Sequence, residues 1–168
     1  INVLSGSEVD ILADGTLDYP DDVLAELDLV VASPHSALRA DAATATERLL
    51  AAIRHPLVHI IGHPTGRIVN AREGLSPDIA LLAREAAQRN VALEVNSNTM
   101  RLDLRDSHVR IAMDAGCLVA IDTDAHGAGD FDQLPYGIAT ARRGWLTCER
   151  CVNTWTRAAL STWISSKR

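Results

Sequence analysis

An α/β fold built on a parallel sheet is what the sequence predicts, and three observations predict it. Short runs rich in Val, Ile and Leu alternate with helical runs along the chain. The apolar runs are nearly continuous rather than alternating, as in strands covered on both faces. Polar residues recur near the ends of these runs, at Glu8, His35, His63, Asn96 and Asp124, at intervals of 27, 28, 33 and 28 residues. Each interval is about one strand–loop–helix unit. Such a pattern gives a parallel sheet, open or closed into a barrel. In a (β/α) barrel the functional groups lie at the C-terminal strand ends.

The strand candidates are Ile1–Ser5, Leu29–Ala32, His59–Ile61, Val91–Val95 and Leu118–Ile121. A short helix is expected over Asp21–Leu27. A second, Asp41–Arg54, has an acidic first turn and stops before His55-Pro56. The third, Ser76–Asn90, takes Ser76 as its N-cap and Pro77 at its first helical position. Asp106–Ala115 ends at Gly116, a natural C-terminal cap. Leu134–Arg143 is closed by Gly144, and a last helix runs from Thr156 to about Ser166.

Bulk properties narrow the function classes. A chain of 168 residues, 47% apolar and 23% charged, is one ordinary globular domain. No apolar run reaches the length of a membrane helix and no secretory leader is visible, so no membrane partner is expected. Three cysteines do not suggest a disulfide scaffold, and a reducing cytoplasm is the expected location. A net charge of −6 argues against a domain-wide nucleic-acid surface but leaves room for a local basic patch. The chain opens at Ile1 rather than Met, in an apolar run, and is expected to be a fragment of a longer protein.

Four segments carry the chemistry: Gly6-Ser7-Glu8, Ala32-Ser33-Pro34-His35, Gly62-His63-Pro64 and Asp122-Thr123-Asp124-Ala125-His126. Each is expected directly after a strand, so two carboxylates and three imidazoles share one rim. Neutral His with ionised Asp or Glu suits zinc and other divalent first-row metals. Paired metals polarise a phosphoryl oxygen and activate water. Any one of these residues alone is more often a cap or a loop residue. Four of them at barrel spacing are not accounted for that way.

The segments Gly-Ser-Glu-Val-Asp-Ile-Leu (6–12), Val-Ala-Ser-Pro-His (31–35), Gly-His-Pro-Thr-Gly-Arg (62–67), Leu-Glu-Val-Asn (93–96) and Asp-Thr-Asp-Ala-His (122–126) resemble the later motifs of the PHP (polymerase and histidinol phosphatase) family in order and spacing. The resemblance extends over nearly the whole chain. It is strongest to the PHP domain at the C-terminus of bacterial family X DNA polymerases, through Ala141-Arg-Arg-Gly-Trp145 and Val152-Asn-Thr-Trp155. It implies a distorted (β/α)7 TIM-like barrel, here N-terminally incomplete, with residues 1–168 as the C-terminal two-thirds of a single PHP domain. It also implies up to three divalent metals (Zn, Mn or Fe). Glu8 would bridge the first and second, His35 and His63 would complete the second, Asp124 would bind the first and His126 the third. The family's opening His-x-His, the Asp after it and the His of the second strand would lie upstream of Ile1. Only the second metal site is then complete here, and the chain alone is expected to be weak or inactive.

The implied activity is phosphate-ester hydrolysis by metal-activated water, acting on DNA 3′ ends as a 3′–5′ exonuclease in repair. An upstream polymerase or helix-hairpin-helix domain is a possible partner. The alternatives are a small-molecule phosphatase of the histidinol-phosphatase type, or an inactive structural module. Glu8, Asp124 and Arg67 are the catalytic candidates, and Arg67, Asn96 and Arg101 the substrate-binding ones, with Arg67 able to clamp a phosphate bidentately. Arg105 could widen a basic rim. His55, His59 and His108 are not ligand candidates. Cys148-Glu-Arg-Cys151 is a lone C-x-x-C without a second pair, and Trp145, Trp155 and Trp163 are expected to be packing residues.

Overall fold

The computed structural model describes residues 2–167. Five strands, β1 (Gly6–Asp10), β2 (Leu29–Ser33), β3 (Ile60–Ile61), β4 (Ala92–Asn96) and β5 (Leu118–Asp122), form one sheet. Their spatial order is their sequence order and every pairing is parallel. All five C-terminal ends therefore lie along one edge. Between the strands run α1 (Asp21–Leu24), α2 (Ala42–Arg54), α3 (Ile79–Gln88) and α4 (Asp106–Asp114), and after β5 come α5 (Leu134–Arg143) and α6 (Arg157–Ser165). Among the described residues no helix is long and apolar enough to cross a membrane.

Side-chain alternation divides the sheet into two unlike faces. Val9, Val30, Ala32, Ile61, Leu93, Val95, Val119 and Ile121 pack outward, in one core with Leu49 and Ile53 of α2, Leu82 and Ala86 of α3, and Val109 of α4. The opposite face changes character along the strands. Near their N-terminal ends it is apolar, with Ile60, Ala92, Leu118 and Ala120 covered by Trp163 and Ile164 of α6. Near their C-terminal ends the same face carries Glu8, Asp10, Glu94, Asn96 and Asp122. One end is thus plugged and the other is free for chemistry.

Several expected boundaries move. The first strand is Gly6–Asp10, not Ile1–Ser5: residues 2–5 are irregular, and Ile1 lies outside the described residues. Glu8 is therefore inside the strand rather than after it. Apolar content misled here, because an edge strand beside a site needs only Val9 on its covered face. The third helix is capped by Asp78, whose side chain accepts from the Leu81 N–H, and not by Ser76. The Asp78 N–H donates to Thr46 Oγ1 of α2, a tertiary bond that fixes the start. Asp41 is likewise the N-cap of α2, accepting from the Thr44 N–H at 3.0 Å, rather than part of its first turn. Trp163 is buried and meets Trp155 edge-on at 6.0 Å, but Trp145 is 71% exposed beneath the Arg110 guanidinium and packs into no core. Asn153 pairs both its amide atoms with the backbone of Ile121, occupying the outer edge of β5 as a neighbouring strand would.

Candidate metal centre

Glu8, His35 and His63 come from three neighbouring strands and converge. One ligand atom from each lies within 4.8 Å of the other two. His63 Nε2 is 3.0 Å and His35 Nε2 3.5 Å from Glu8 Oε1. The approach of β3 to β2 at this level depends on Gly62, because a Cβ there would sit 2.2 Å from Ser33 Oγ. The following residue, His63, holds a left-handed φ of +23°. Non-glycine residues adopt that conformation only where their surroundings compel it, and such strain gathers at functional sites.

Three features compel it. The His63 N–H donates to Glu94 Oε2 in a short bond. Thr65 N, Thr65 Oγ1 and Gly66 N all donate to Asp103 Oδ2, at 2.9 to 3.0 Å. Pro64 stiffens the turn between these anchors. Glu94 and Asp103 are both buried. Burial raises the Glu94 pKa well above the carboxylate range, and the charge of Asp122 and a hydrogen bond given to it raise it further. Glu94 is thus the protonated member of a carboxyl–carboxylate pair.

A group whose pKa is raised on folding stabilises the fold fully below its unfolded value, and that contribution is lost as pH rises through the folded value. Glu94→Gln keeps an acceptor for the His63 N–H and a donor for Asp122 but cannot ionise. We expect its urea midpoint to fall less than the parent's between pH 5 and pH 8. Equal falls would mean Glu94 is already ionised at neutral pH.

The triad fits a divalent cation on this geometry. Both ring nitrogens of His63 are buried, and among the described residues their one close polar neighbour is the Glu8 carboxylate, 3.0 Å from Nε2. An imidazole so placed retains a lone pair for a metal. His35 Nδ1 contacts Asp10 Oδ1, which orients the ring and leaves Nε2 toward Glu8, the usual outer support of a metal-binding histidine. The nearby His63 imidazole holds the Glu8 carboxyl down to about 2, against the opposing effect of burial, with Ser33 and His35 helping. Glu8 is therefore anionic throughout the physiological range. Two imidazoles and a carboxylate are the three protein ligands of an open zinc-type site. Removing the outer support has a definite expected cost: Asp10→Ala should weaken metal affinity about 10–100-fold, read by competition with a chromogenic chelator. Unchanged affinity would mean His35 needs no orientation.

The remaining candidates lie on the same rim but outside this triad. Asp124, with a φ of +50°, accepts from Asn96 Nδ2 at 3.2 Å and faces Arg101 Nε at 3.6 Å. His126 is strongly exposed and its Nδ1 lies 2.7 Å from the Asp124 carbonyl oxygen. Asn96 is buried, and its Oδ1 accepts from the Asn98 N–H. Arg67 donates through Nε and Nη2 to the carbonyls of Arg101 and Leu102. Sequence reasoning missed Asp10 and Asp103. Asp10 shares a face with Glu8 by simple alternation, a relation hidden while the strand was placed at residues 1–5. Nothing local marks Asp103, whose partners are 37 and 38 residues away.

No family model matches the chain. Curated relatives do. It is 44% identical over 151 residues to the DNA polymerase/3′-5′ exonuclease PolX of Bacillus subtilis, covering 90% of this chain and 26% of that protein. It is 30% identical over 176 residues to a probable phosphatase of Shewanella sediminis, covering 99% and 69%, and 32% identical over 145 residues to the probable phosphatase YcdX of Escherichia coli, covering 79% and 57%. The chain thus spans about a quarter of the polymerase relative and a larger share of the phosphatases.

Proposed function

Because this chain belongs to the PHP family, we propose that it contributes the later strands of a metal-dependent phosphoesterase barrel, a single (β/α)7 PHP domain, in a cytoplasmic protein. The observation that carries the reading is the Glu8–His35–His63 triad gathered at three adjacent strands, with both His63 nitrogens buried and, among the described residues, only the Glu8 carboxylate close to them. A bound divalent ion, whether Zn, Mn or Fe, would supply Lewis-acid polarisation of a phosphoryl oxygen and an acidified water. Glu8, His35 and His63 would hold it, and Asp124 and His126 would serve further ions on the β5 side of the rim. Arg101 and Asn96, both against Asp124, would face the substrate, and Arg67 would bring positive charge beside the His63 loop.

The substrate we infer is a DNA 3′ end, supported by 44% identity to a relative named for both polymerase and 3′-5′ exonuclease activity. A small phosphate ester is the second reading, supported by the phosphatase relatives. The test is to incubate the full protein carrying this sequence with a 5′-labelled single-stranded oligonucleotide and, separately, p-nitrophenyl phosphate, each with Mn²⁺, Zn²⁺ or EDTA. Metal-dependent shortening of the oligonucleotide from its 3′ end is expected. Turnover of p-nitrophenyl phosphate alone would select the second reading. Hydrolysis of neither by metal-loaded protein would contradict both.

A further inference from the structure

A cavity of about 810 Å³ lies beside the triad, walled by residues 65–77 on one side and by Asp103, Arg105 and His108 on the other. Its volume is in the range of small-molecule and nucleotide sites. Three of its residues are arginines: Arg67, Arg72 and Arg105. None of the three lies within 4 Å of a carboxylate oxygen among the described residues, although Arg54, Arg89, Arg101, Arg110 and Arg143 all do. Their visible bonds are to neutral acceptors. Arg67 reaches the carbonyls of Arg101 and Leu102, Arg72 Nε the carbonyl of Gly66, and Arg105 Nε the imidazole of His108.

The charges of Asp103 and Asp106 act on Arg67, but neither carboxylate pairs directly with an arginine of the cavity among the described residues. Asp103 accepts three donors from the Thr65–Gly66 turn through one oxygen, and Glu73 is exposed to solvent. The crowding of positive charge is felt by His108. Burial, then the charges of Arg105 and Arg67, push its imidazole down to about 4, and its Nδ1 is buried without a hydrogen-bonded partner among the described residues. Like charges held together without a directly paired counter-ion are costly, and guanidinium forks match phosphate oxygens in shape and charge.

We propose that this cavity binds a phosphate group of a polynucleotide strand, one other than the phosphate at the metal centre. The assignment rests on the phosphoesterase reading and narrows it to a polymeric substrate. Thr65 lines the cavity and is two residues from His63, at most about 7 Å of extended chain. A ligand that puts one phosphate at the triad and another among the arginines carries two phosphates at a spacing that a polynucleotide strand supplies. A lone phosphomonoester would fill only one of the two places.

The test uses the full protein in EDTA, with binding of a fluorescein-labelled single-stranded oligothymidylate followed by anisotropy at several salt concentrations. The Arg72→Ala/Arg105→Ala double variant should bind about tenfold or more weaker, with a salt slope smaller by about 0.7 for each phosphate it no longer neutralises. Arg72→Lys/Arg105→Lys loses the same Nε bonds but keeps the charge, and should retain most of the slope. A drop equal to that of the Ala variant would mean the arginines act structurally and would overturn the proposal. So would oligonucleotide binding by the Ala variant as tight as the parent's. Binding of millimolar inorganic phosphate by calorimetry, without any oligonucleotide binding, would assign the cavity to small phosphates and reject the strand. The phosphoesterase reading is judged separately, by metal-dependent shortening of a 5′-labelled oligonucleotide and by p-nitrophenyl phosphate turnover in parent and His63→Ala. If both are absent while the arginine effect remains, that reading fails and the arginines bind strand phosphate without a hydrolytic centre beside them.

Discussion

His63→Ala loses about 100-fold or more of the parent's divalent-metal affinity, while His126→Ala stays close to the parent: this is the expected result of dialysis followed by metal analysis. Outer supports of metal ligands are worth about 10–100-fold, and a ligand should exceed its support. His63 is the buried member of the triad, and among the described residues only the Glu8 carboxylate lies close to its ring nitrogens. Its removal leaves Glu8 and His35, which are both solvent-accessible. His126 is strongly exposed and lies outside the triad. Affinity in the parent should also weaken as pH falls, because imidazole binds metal only when neutral, while Glu8, held down to about 2, remains ionised. Equal losses in the two variants would show that one metal uses both residues.

The second large effect is expected at Asp103, which holds the loop that carries His63. Asp103→Ala strands three donors, Thr65 N, Thr65 Oγ1 and Gly66 N, in a buried place. Each buried unpaired donor costs about 1–3 kcal/mol. Against this, burial of the carboxylate is itself unfavourable and raises its pKa, so removing it returns part of the cost. We expect a net loss of about 2–4 kcal/mol by urea denaturation and weakened metal binding. Asp103→Asn, which keeps one carbonyl acceptor, should fall between. An Asn variant as damaged as the Ala variant would show that the charge of Asp103 matters more than the three hydrogen bonds.

The legible part of this fold was the part that obeys local rules. β2, β4 and β5 are nearly continuous apolar runs covered on both faces, and their expected bounds agree within a residue. β1 obeys a different rule. Its residues Gly6-Ser7-Glu8-Val9-Asp10 face the site on one side, so composition pointed to the more apolar Ile1–Ser5 instead. The Asp78 cap was obscured because Ser76-Pro77 imitates a helix start, whereas a bond from the neighbouring α2 decides the true one. At the site, the spacing of Glu8, His35 and His63 was visible because each follows from the same βα period. The supports were not. Asp10 depended on the correct strand frame, and Glu94 and Asp103 reach the His63 loop only through tertiary contacts more than 30 residues away.

The central claim is that Glu8, His35 and His63 hold one divalent ion between them. An anomalous difference map from a crystal grown with Zn²⁺ or Mn²⁺ tests it most directly. The expected result is a single strong peak about 2.0–2.2 Å from a Glu8 carboxylate oxygen and from one nitrogen each of His35 and His63. A map with no peak among these three side chains at saturating metal, or with its peak at Asp124 and His126 alone, would contradict the account.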